Sequence, residues 1–152
     1  MPGLDREAIY AALLAKLQAV ASLTGGVSRR VPKAPPGPLE QPCAFLEVDE
    51  EVPNYASEHQ LTWMLHLSLL VYARADDPAQ APITLLAPIV KDIEAALQWA
   101  PGDNGPLNIG GSTTLGLRSV SHCVMARVRY GDGREDGQGI AFIPILILAV
   151  SP

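Results

Sequence analysis

Residues 60–74 read QLTWMLHLSLLVYAR, and no other stretch constrains the fold as strongly. Apolar side chains occupy alternate positions from Leu61 to Ala73, and mainly polar ones lie between them, with Leu70 as the apolar exception. Because successive side chains of a strand point to opposite faces, this period of two predicts a half-buried β-strand. At about 3.3 Å per residue the strand would reach roughly 50 Å, against a typical length of about 17–20 Å. One small core cannot cover that length, so we expect the strand to be bent, bulged or partly buried by another molecule.

The composition indicates a single folded domain that buries surface against other chains. The chain has 152 residues, of which 48% are hydrophobic and 18% charged. That length suits one domain, which we expect to span residues 1–152. The low charged fraction is typical of chains that bury surface in an assembly. A net charge of −5 argues against a protein that binds a DNA groove, because such binding depends on clustered Lys and Arg.

The two cysteines and the apolar runs give expectations about compartment. Cys43 and Cys123 each lie in a predicted strand, so we expect buried, reduced thiols that pack as small hydrophobes. No charged segment followed by an apolar one opens the sequence, so we expect no signal peptide. The apolar run at 140–150 has eleven residues, fewer than the roughly 20 that a membrane helix needs. We therefore expect a soluble protein made in a reducing cytoplasm.

The sequence predicts an α+β domain, a mainly antiparallel sheet with two helices packed on it and a long projecting β-hairpin. Its strands 43–51 and 60–74 should pair antiparallel. The closing strand is apolar on both parities, so we expect a helix on one face and a neighbouring subunit on the other. Pro144 within that strand requires a bulge or an edge position. The predicted elements are a helix at 5–23 capped by Asp5, strands at 27–31, 43–48 and 60–74, a helix within 83–99 whose firm part is 88–98, and strands at 115–130 and 140–150, with a hairpin loop at 131–139.

Nothing in the sequence predicts an enzyme, a cofactor or a metal centre. The three histidines, His59, His66 and His122, are not at metal-ligand spacing with another His or Cys. His66 and His122 could face each other across the sheet, although a histidine hydrogen-bonded at a sheet face is the commoner case. The sequence has no nucleophile elbow, no Walker loop and no His-Glu-x-x-His motif. The acidic cluster of Glu47, Asp49, Glu50 and Glu51 predicts a solvated strand end, since it lacks the pattern of a calcium loop.

The order and character of the segments resemble the tail terminator (tail completion, minor tail) proteins of long-tailed bacteriophages and prophages. The resemblance covers nearly the whole chain and depends on element order, with no invariant motif. It is carried by the N-terminal helix DREAIYAALLAKL, the segment PCAFLEV after a Pro-rich crossing, the long strand LTWMLHLSLLVYAR, the helix PIVKDIEAALQ and the terminal hairpin VMARVRYGDGREDGQGIAFIPILIL.

The resemblance implies a virion protein of the tail neck, assembled in the host bacterial cytoplasm and without catalytic residues. It implies a homo-oligomeric ring, a hexamer, on the head-proximal end of the tail tube, which ends tube polymerisation and provides the docking face for the head connector or stopper. Genomic DNA would pass through the lumen without specific binding, and no membrane is involved. The residues that we expect at subunit or tube interfaces or in the lumen are Arg29, Arg30, Glu50, Glu51, Arg134, Glu135 and Asp136.

Two alternatives remain open at the level of sequence. The first is another head–tail connector component, such as a stopper or a tube-related subunit. The second is a monomeric α+β domain that binds a small ligand between sheet and helices, with His66 and Tyr72 as its polar anchors.

Overall fold

The fold is a two-layer arrangement in which two helices pack on one face of an antiparallel sheet. The computed structural model describes residues 3–29, 41–54, 61–77, 79–100, 103, 112–132 and 138–151. Within these ranges the elements are α1 (Arg6–Gln18), β1 (Val27–Ser28), β2 (Cys43–Asn54), β3 (Thr62–Arg74), α2 (Ile83–Ala96), β4 (Val120–Met125), β5 (Arg129–Asp132) and β6 (Gln138–Val150). The strand order is β1-β2-β3-β6-β4, with β5 also paired to β6. The predicted α+β class is confirmed.

The central strand β3 is paired along its whole length on both sides. It has 13 residues, and its neighbours β2 and β6 have 12 and 13. β6 pairs with it antiparallel from Thr62↔Val150 to Arg74↔Gln138, and β2 pairs with it antiparallel from Asn54↔Thr62 to Cys43↔Tyr72. The predicted antiparallel pairing of the second and third strands is confirmed. Because β2 and β6 are about as long as β3, they satisfy its backbone hydrogen bonds. Any surface of β3 that the core does not cover therefore lies on a face of the sheet.

β2 is longer than the sequence predicts. The predicted strand ends at Val48, whereas β2 continues through the acidic cluster to Asn54. The register shifts between Val48 and Glu50, which places Asp49 in a β-bulge. The boundary was wrong because β3 extends far enough to offer the acidic segment a complete ladder of hydrogen-bond partners.

The predicted single strand at 115–130 is wrong, because the segment forms two strands that both pair with β6. Met125 lies opposite Ile145 and Arg129 lies opposite Phe142, so three residues of the segment face two of β6. The break lies beside Pro144, whose carbonyl accepts a 2.8 Å hydrogen bond from the Ala126 N–H. Since the nitrogen of a strand residue faces the same edge as its carbonyl, the missing N–H of Pro144 interrupts the ladder here. The bulge expected at Pro144 is therefore confirmed.

A second irregularity alters the faces of β4. The register shifts between Val120 and His122, which lie opposite Ala149 and Leu148. The extra residue, Ser121, turns the following side chains over, because the two faces of a strand alternate. Val120 and His122, which strict alternation places together, therefore lie on opposite faces of the sheet.

The helices begin and end for local reasons. The Asp5 carboxylate accepts a 3.0 Å hydrogen bond from the Ala8 N–H, so the predicted N-cap of α1 is confirmed. α1 ends at Gln18 and not at Leu23, because tighter turns follow it and place Val20 and Leu23 in the core. α2 begins before Pro88, which is exposed and leaves a helix carbonyl free to bind water.

The core lies between the helices and the odd-numbered residues of β3 and β6. Its fully buried side chains are Ile9, Leu13, Leu17, Leu65, Leu67, Leu69, Val71, Leu86, Ile93, Ile143, Ile145 and Ile147. Gly139 allows the first turn of α2 to approach β6 closely. A Cβ at this position would lie 2.4 Å from Pro82 Cβ and 2.9 Å from Leu86 Cδ1. A side chain here would therefore separate α2 from the sheet.

Replacing Gly139 by alanine should destabilise the protein. We expect a loss of about 1–3 kcal/mol in the free energy of unfolding, the usual cost of overpacking a core, measured by urea denaturation. The control is Gly3→Ala, where a Cβ would meet no atom within 4 Å and stability should not change. Equal stability of the two variants would contradict the close approach of α2 to β6.

Candidate functional site: the open face and free edges of the sheet

The face of the sheet turned away from the helices is apolar along β6. We call it the open face and define it by the even-numbered residues of β3 and β6 with their cross-strand partners in β2, β4 and β5. Its side chains are partly exposed, and Phe142 and Val52 are 37% and 41% exposed. No described residue packs on it as a second layer. Its apolar members on the two central strands are Met64, Leu70, Tyr72, Ile140, Phe142, Pro144, Leu146, Leu148 and Val150.

The open face is large enough to be an interface. Its long strands have 12 or 13 residues and extend about 40 Å, and four strands at about 4.8 Å spacing span about 19 Å. The footprint of roughly 750 Å² is close to the ~800 Å² per partner that a stable protein–protein interface buries. Its apolar part lies along β6, with polar positions such as His66 and Ser68 beside it on β3, and an apolar patch rimmed by polar residues is typical of an interaction site. Cover by a neighbouring subunit stays a prediction, whereas cover of the other face by helices is confirmed.

One edge of the sheet carries an acidic strip, which consists of Glu47, Asp49 and Glu50. All three side chains are exposed. Glu47 and Glu50 lie opposite Ser68 and His66, which places them on the open face, and Asp49 accepts a hydrogen bond from Ser68 Oγ. β1 pairs with β2 only at residues 44 and 45, so no described strand covers the outer edge of β2 beyond them.

The other edge carries a basic pair, Arg127 and Arg129. Arg129 lies opposite Phe142 and therefore on the open face, while Arg127 lies in the bulge between β4 and β5. Both side chains are exposed. Within the described ranges, neither arginine forms an ion pair with a carboxylate. The open face is thus bounded by charges of opposite sign on its two edges.

Glu51 lies on the helix side of the sheet, not with the acidic strip. It pairs with Leu65, and its carboxylate accepts hydrogen bonds from the Tyr10 hydroxyl and from Nε of Arg6. The Arg6 guanidinium also lies 4.6 Å from the centre of the Trp63 ring. Partial burial alone would raise the pKa of Glu51, but the hydrogen bonds from Tyr10 and Arg6 and the charge of Arg6 hold it below its usual value. Glu51 therefore anchors α1 to the sheet.

Arg29 joins the same cluster around α1. It forms an ion pair with Glu7 and lies 5.6 Å from the centre of the Tyr10 ring. The structure thus brings Arg29 and Glu51 together beside α1 and places Glu50 on the open face. Arg30 and the loop residues Arg134, Glu135 and Asp136 lie outside the described residues, so their interface role stays a prediction.

Asp103 lies at the centre of a second polar cluster, and its carboxylate accepts hydrogen bonds from its own chain. It accepts hydrogen bonds from the Ala100 N–H, from Thr113 Oγ1, from the N–H and hydroxyl of Thr114, and from the Gly116 N–H. Burial alone would raise the pKa of Asp103, but these hydrogen bonds hold it below its usual value. These hydrogen bonds join Ala100 to residues 113–116, so the cluster positions the segment that leads into β4.

His66 and His122 do not form a site, and His59 lies outside the described residues. His66 lies opposite Leu146 and His122 opposite Leu148, so β6 lies between them and their strands are about 10 Å apart. Among the described residues, no group of three His, Cys, Asp or Glu could hold a metal ion. In the same part of the chain, no helix is long and apolar enough to cross a membrane. Cys43 and Cys123 are buried free thiols, as predicted, and burial raises the pKa of Cys123 to about 12.

The geometry does not favour the small-ligand alternative. His66 and Tyr72 lie on the open face and not between the sheet and the helices, where that alternative places them. A cleft of about 590 Å³ lies between the ends of α1 and α2, and alanines and Trp99 form much of its lining. Neither His66 nor Tyr72 lines it.

The sequence did not predict that Arg129 and Phe142 are exposed on the same face of the sheet. The available signal was that both the odd and the even positions of β6 are apolar, which predicts a second covered face. It could not identify the strand beside β6, because the bulge at residues 126–128 moves Arg129 out of simple alternation.

Replacing Glu51 by glutamine should weaken the anchor of α1. We expect a loss of about 1 kcal/mol at pH 7 by urea denaturation, because a charge-assisted pair at a partly exposed site contributes little more. The folded pKa of Glu51 lies below the unfolded one, so its contribution is present above the unfolded pKa and is lost as pH falls through the folded pKa. The difference between variant and wild type should therefore shrink below pH 4. The exposed neighbour Glu50→Gln is the control, and a pH-independent difference would contradict the assignment.

Comparison with known proteins identifies a similar fold but no family. No protein family and no curated protein matches this sequence. Among solved structures, a chain from the virion of a native gene transfer agent (GTA) particle is similar, with a TM-score of 0.56 over 93% of this chain and 93% of that chain. The two sequences are 13% identical. The comparison therefore shows a shared fold.

Proposed function

We propose that this protein is a structural subunit of a phage-derived virion and acts as a tail terminator. In this role it forms a ring, a hexamer, at the head-proximal end of the tail tube, ends tube polymerisation and docks the head connector. The observation that carries the proposal is the fold similarity to a virion chain over 93% of both chains. Fold similarity alone does not determine function, so the surfaces must support the role independently.

The open face supports an assembly role. The apolar surface of this face along β6 is costly to leave in water, at about 25 cal/mol for each Å², and a virion subunit covers such a face with its neighbours. We propose that the tail tube or the head connector packs on it. The apolar character makes it a poor lining for a channel that holds hydrated DNA.

The charge of the chain suits a subunit that surrounds DNA without binding it. A net charge of −5 disfavours contact with phosphates, since nonspecific DNA affinity comes from Lys and Arg. We propose that the loop with Arg134, Glu135 and Asp136 reaches the lumen or the tube. Glu50, which is exposed on the open face, is proposed to lie at a subunit contact, and Glu51 acts through the position of α1.

The test is to remove this chain from cells that produce the particle. We expect tails of irregular and excessive length and heads without tails, as seen by negative-stain electron microscopy. Supplying the full chain should restore tail length and head joining, and antibody labelling should place it at the junction of head and tail. Normal tails that still join heads would overturn the proposal. Normal tail length without head joining would indicate a stopper.

A pair of valine variants tests whether the open face is covered in the particle. Val52 and Val48 both lie on β2 and are 41% and 38% exposed, but Val52 lies opposite Met64 on the open face and Val48 opposite Leu67 on the helix face. Val52→Asp should lower the yield of joined particles at least tenfold, because it places a charge in an apolar contact. Val48→Asp should assemble normally. Equal yields, with both variants folded by circular dichroism, would mean that nothing covers this face.

A further inference from the structure

We infer that neighbouring copies of this chain join edge to edge, with β2 of one copy adding antiparallel to β5 of the next. The sheet then continues from copy to copy. The ring that results is the ring of the proposed function, so the inference extends that function by naming the surfaces that join its subunits.

Both edges are available for pairing. Beyond residues 44 and 45, which pair with β1, no described strand pairs with the outer side of β2. β5 pairs with β6 on one side and with no described strand on the other. Unpaired backbone N–H and C=O groups at a sheet edge readily accept a strand from another chain.

The topology makes the two edges compatible. From edge to edge the strands run β2-β3-β6-β5, and each pair in this series is antiparallel. With four alternating strands, a copy rotated about an axis inclined to the strands, as in a β-barrel, presents its β2 antiparallel to the β5 of its neighbour. The same rotation keeps the open faces on one side of the continued sheet. Two different edges then meet, which is the head-to-tail contact that closes a ring.

The charges on the two edges are complementary. Glu47 and Glu50 on β2 and Arg129 on β5 lie on the same face of the sheet. Within one copy β3 and β6 separate these strands, by about 14 Å in all, which exceeds the screening length of about 8 Å at physiological salt. Across the proposed joint Glu50 and Arg129 become cross-strand neighbours, whose Cβ atoms lie about 4.5–5.5 Å apart.

The joint requires a stagger between copies. Within one copy Arg129 is level with Phe142, Leu70 and Phe45, whereas Glu50 is level with His66, four positions earlier in β3. Bringing Arg129 beside Glu50 therefore shifts adjacent copies by about 13 Å along the strands. In this register β5 ends before residues 44 and 45, which already pair with β1. A consistent stagger of this kind tilts the strands against the ring axis, as a closed sheet needs.

Cysteine pairs test the contact directly in the assembled particle. We expect Glu50→Cys, combined with Arg129→Cys in the same chain, to give a ladder of disulfide-linked multimers on a non-reducing gel after oxidation. Each single variant should give no ladder, because two different edges must meet. The native thiols of Cys43 and Cys123 are 4% and 0% exposed and should not interfere. A dimer from a single variant would overturn the head-to-tail contact, and so would the absence of a ladder from the double variant.

Charge reversal tests whether attraction between Glu50 and Arg129 stabilises the same contact. Glu50→Arg or Arg129→Glu alone should lower the yield of ring-bearing particles at least tenfold, because like charges then face each other. The double variant E50R/R129E, and also a mixture of the two single variants, should restore assembly. The controls are Glu94→Arg and Arg118→Glu, both at exposed positions outside the two edges, which should assemble normally. Normal assembly of both single variants would overturn the inference.

The two proposals can fail separately. If the chain is part of a ring in the particle but yields no cross-link, the edge contact is wrong and the tail terminator role stands. If the purified chain alone gives the ladder but is absent from the head–tail junction, the edge contact stands and the proposed function is wrong.

Discussion

The rest of the structure depends on the pairing of β3 with β6, which runs without interruption over thirteen residue pairs from Thr62↔Val150 to Arg74↔Gln138. Because the two strands stay in register, every odd position of β3 meets an odd position of β6 on one face and every even position meets an even one on the other. The odd face takes the helices and becomes the core. The even face keeps the apolar residues of β6 but receives no helix, so this single register creates both the core and the open face.

Local patterns were sufficient to predict the elements whose boundaries are set by their own residues. The alternation in Gln60–Arg74 predicts β3, Asp5 predicts the start of α1, and the apolar spacing after Pro88 predicts the buried stripe of α2. Elements whose limits depend on a partner strand were mispredicted. β2 extends past Val48 because β3 is there to pair with it, and no local signal carries that information.

The same reason explains what could be predicted of the candidate site. The apolar side chains at both odd and even positions of β6 lie within one strand, and they correctly predict that both faces of this strand are apolar. The split of the acidic cluster between the two faces cannot be predicted from β2 alone, because the bulge at Asp49 is defined by the register with β3. Strict alternation groups Glu47 with Glu51, whereas the bulge puts Glu47 with Glu50 on the open face and turns Glu51 towards Arg6 and Tyr10. The face on which Arg129 lies could not be predicted for the same reason. The break at residues 126–128 changes that face, and it is caused by Pro144 on the neighbouring strand.

Free edges are a hazard for any sheet protein, because they promote pairing between wrong partners. In this chain the charges on the edges also discriminate between partners. Two β2 edges would bring Glu47 and Glu50 of one copy against the same residues of another, and two β5 edges would oppose Arg129 to Arg129. Like charges directly opposite each other destabilise a strand pair, so only unlike edges can join without repulsion. A contact between unlike edges has a direction and repeats from copy to copy, so it leads to a ring or an open filament and not to a two-fold dimer.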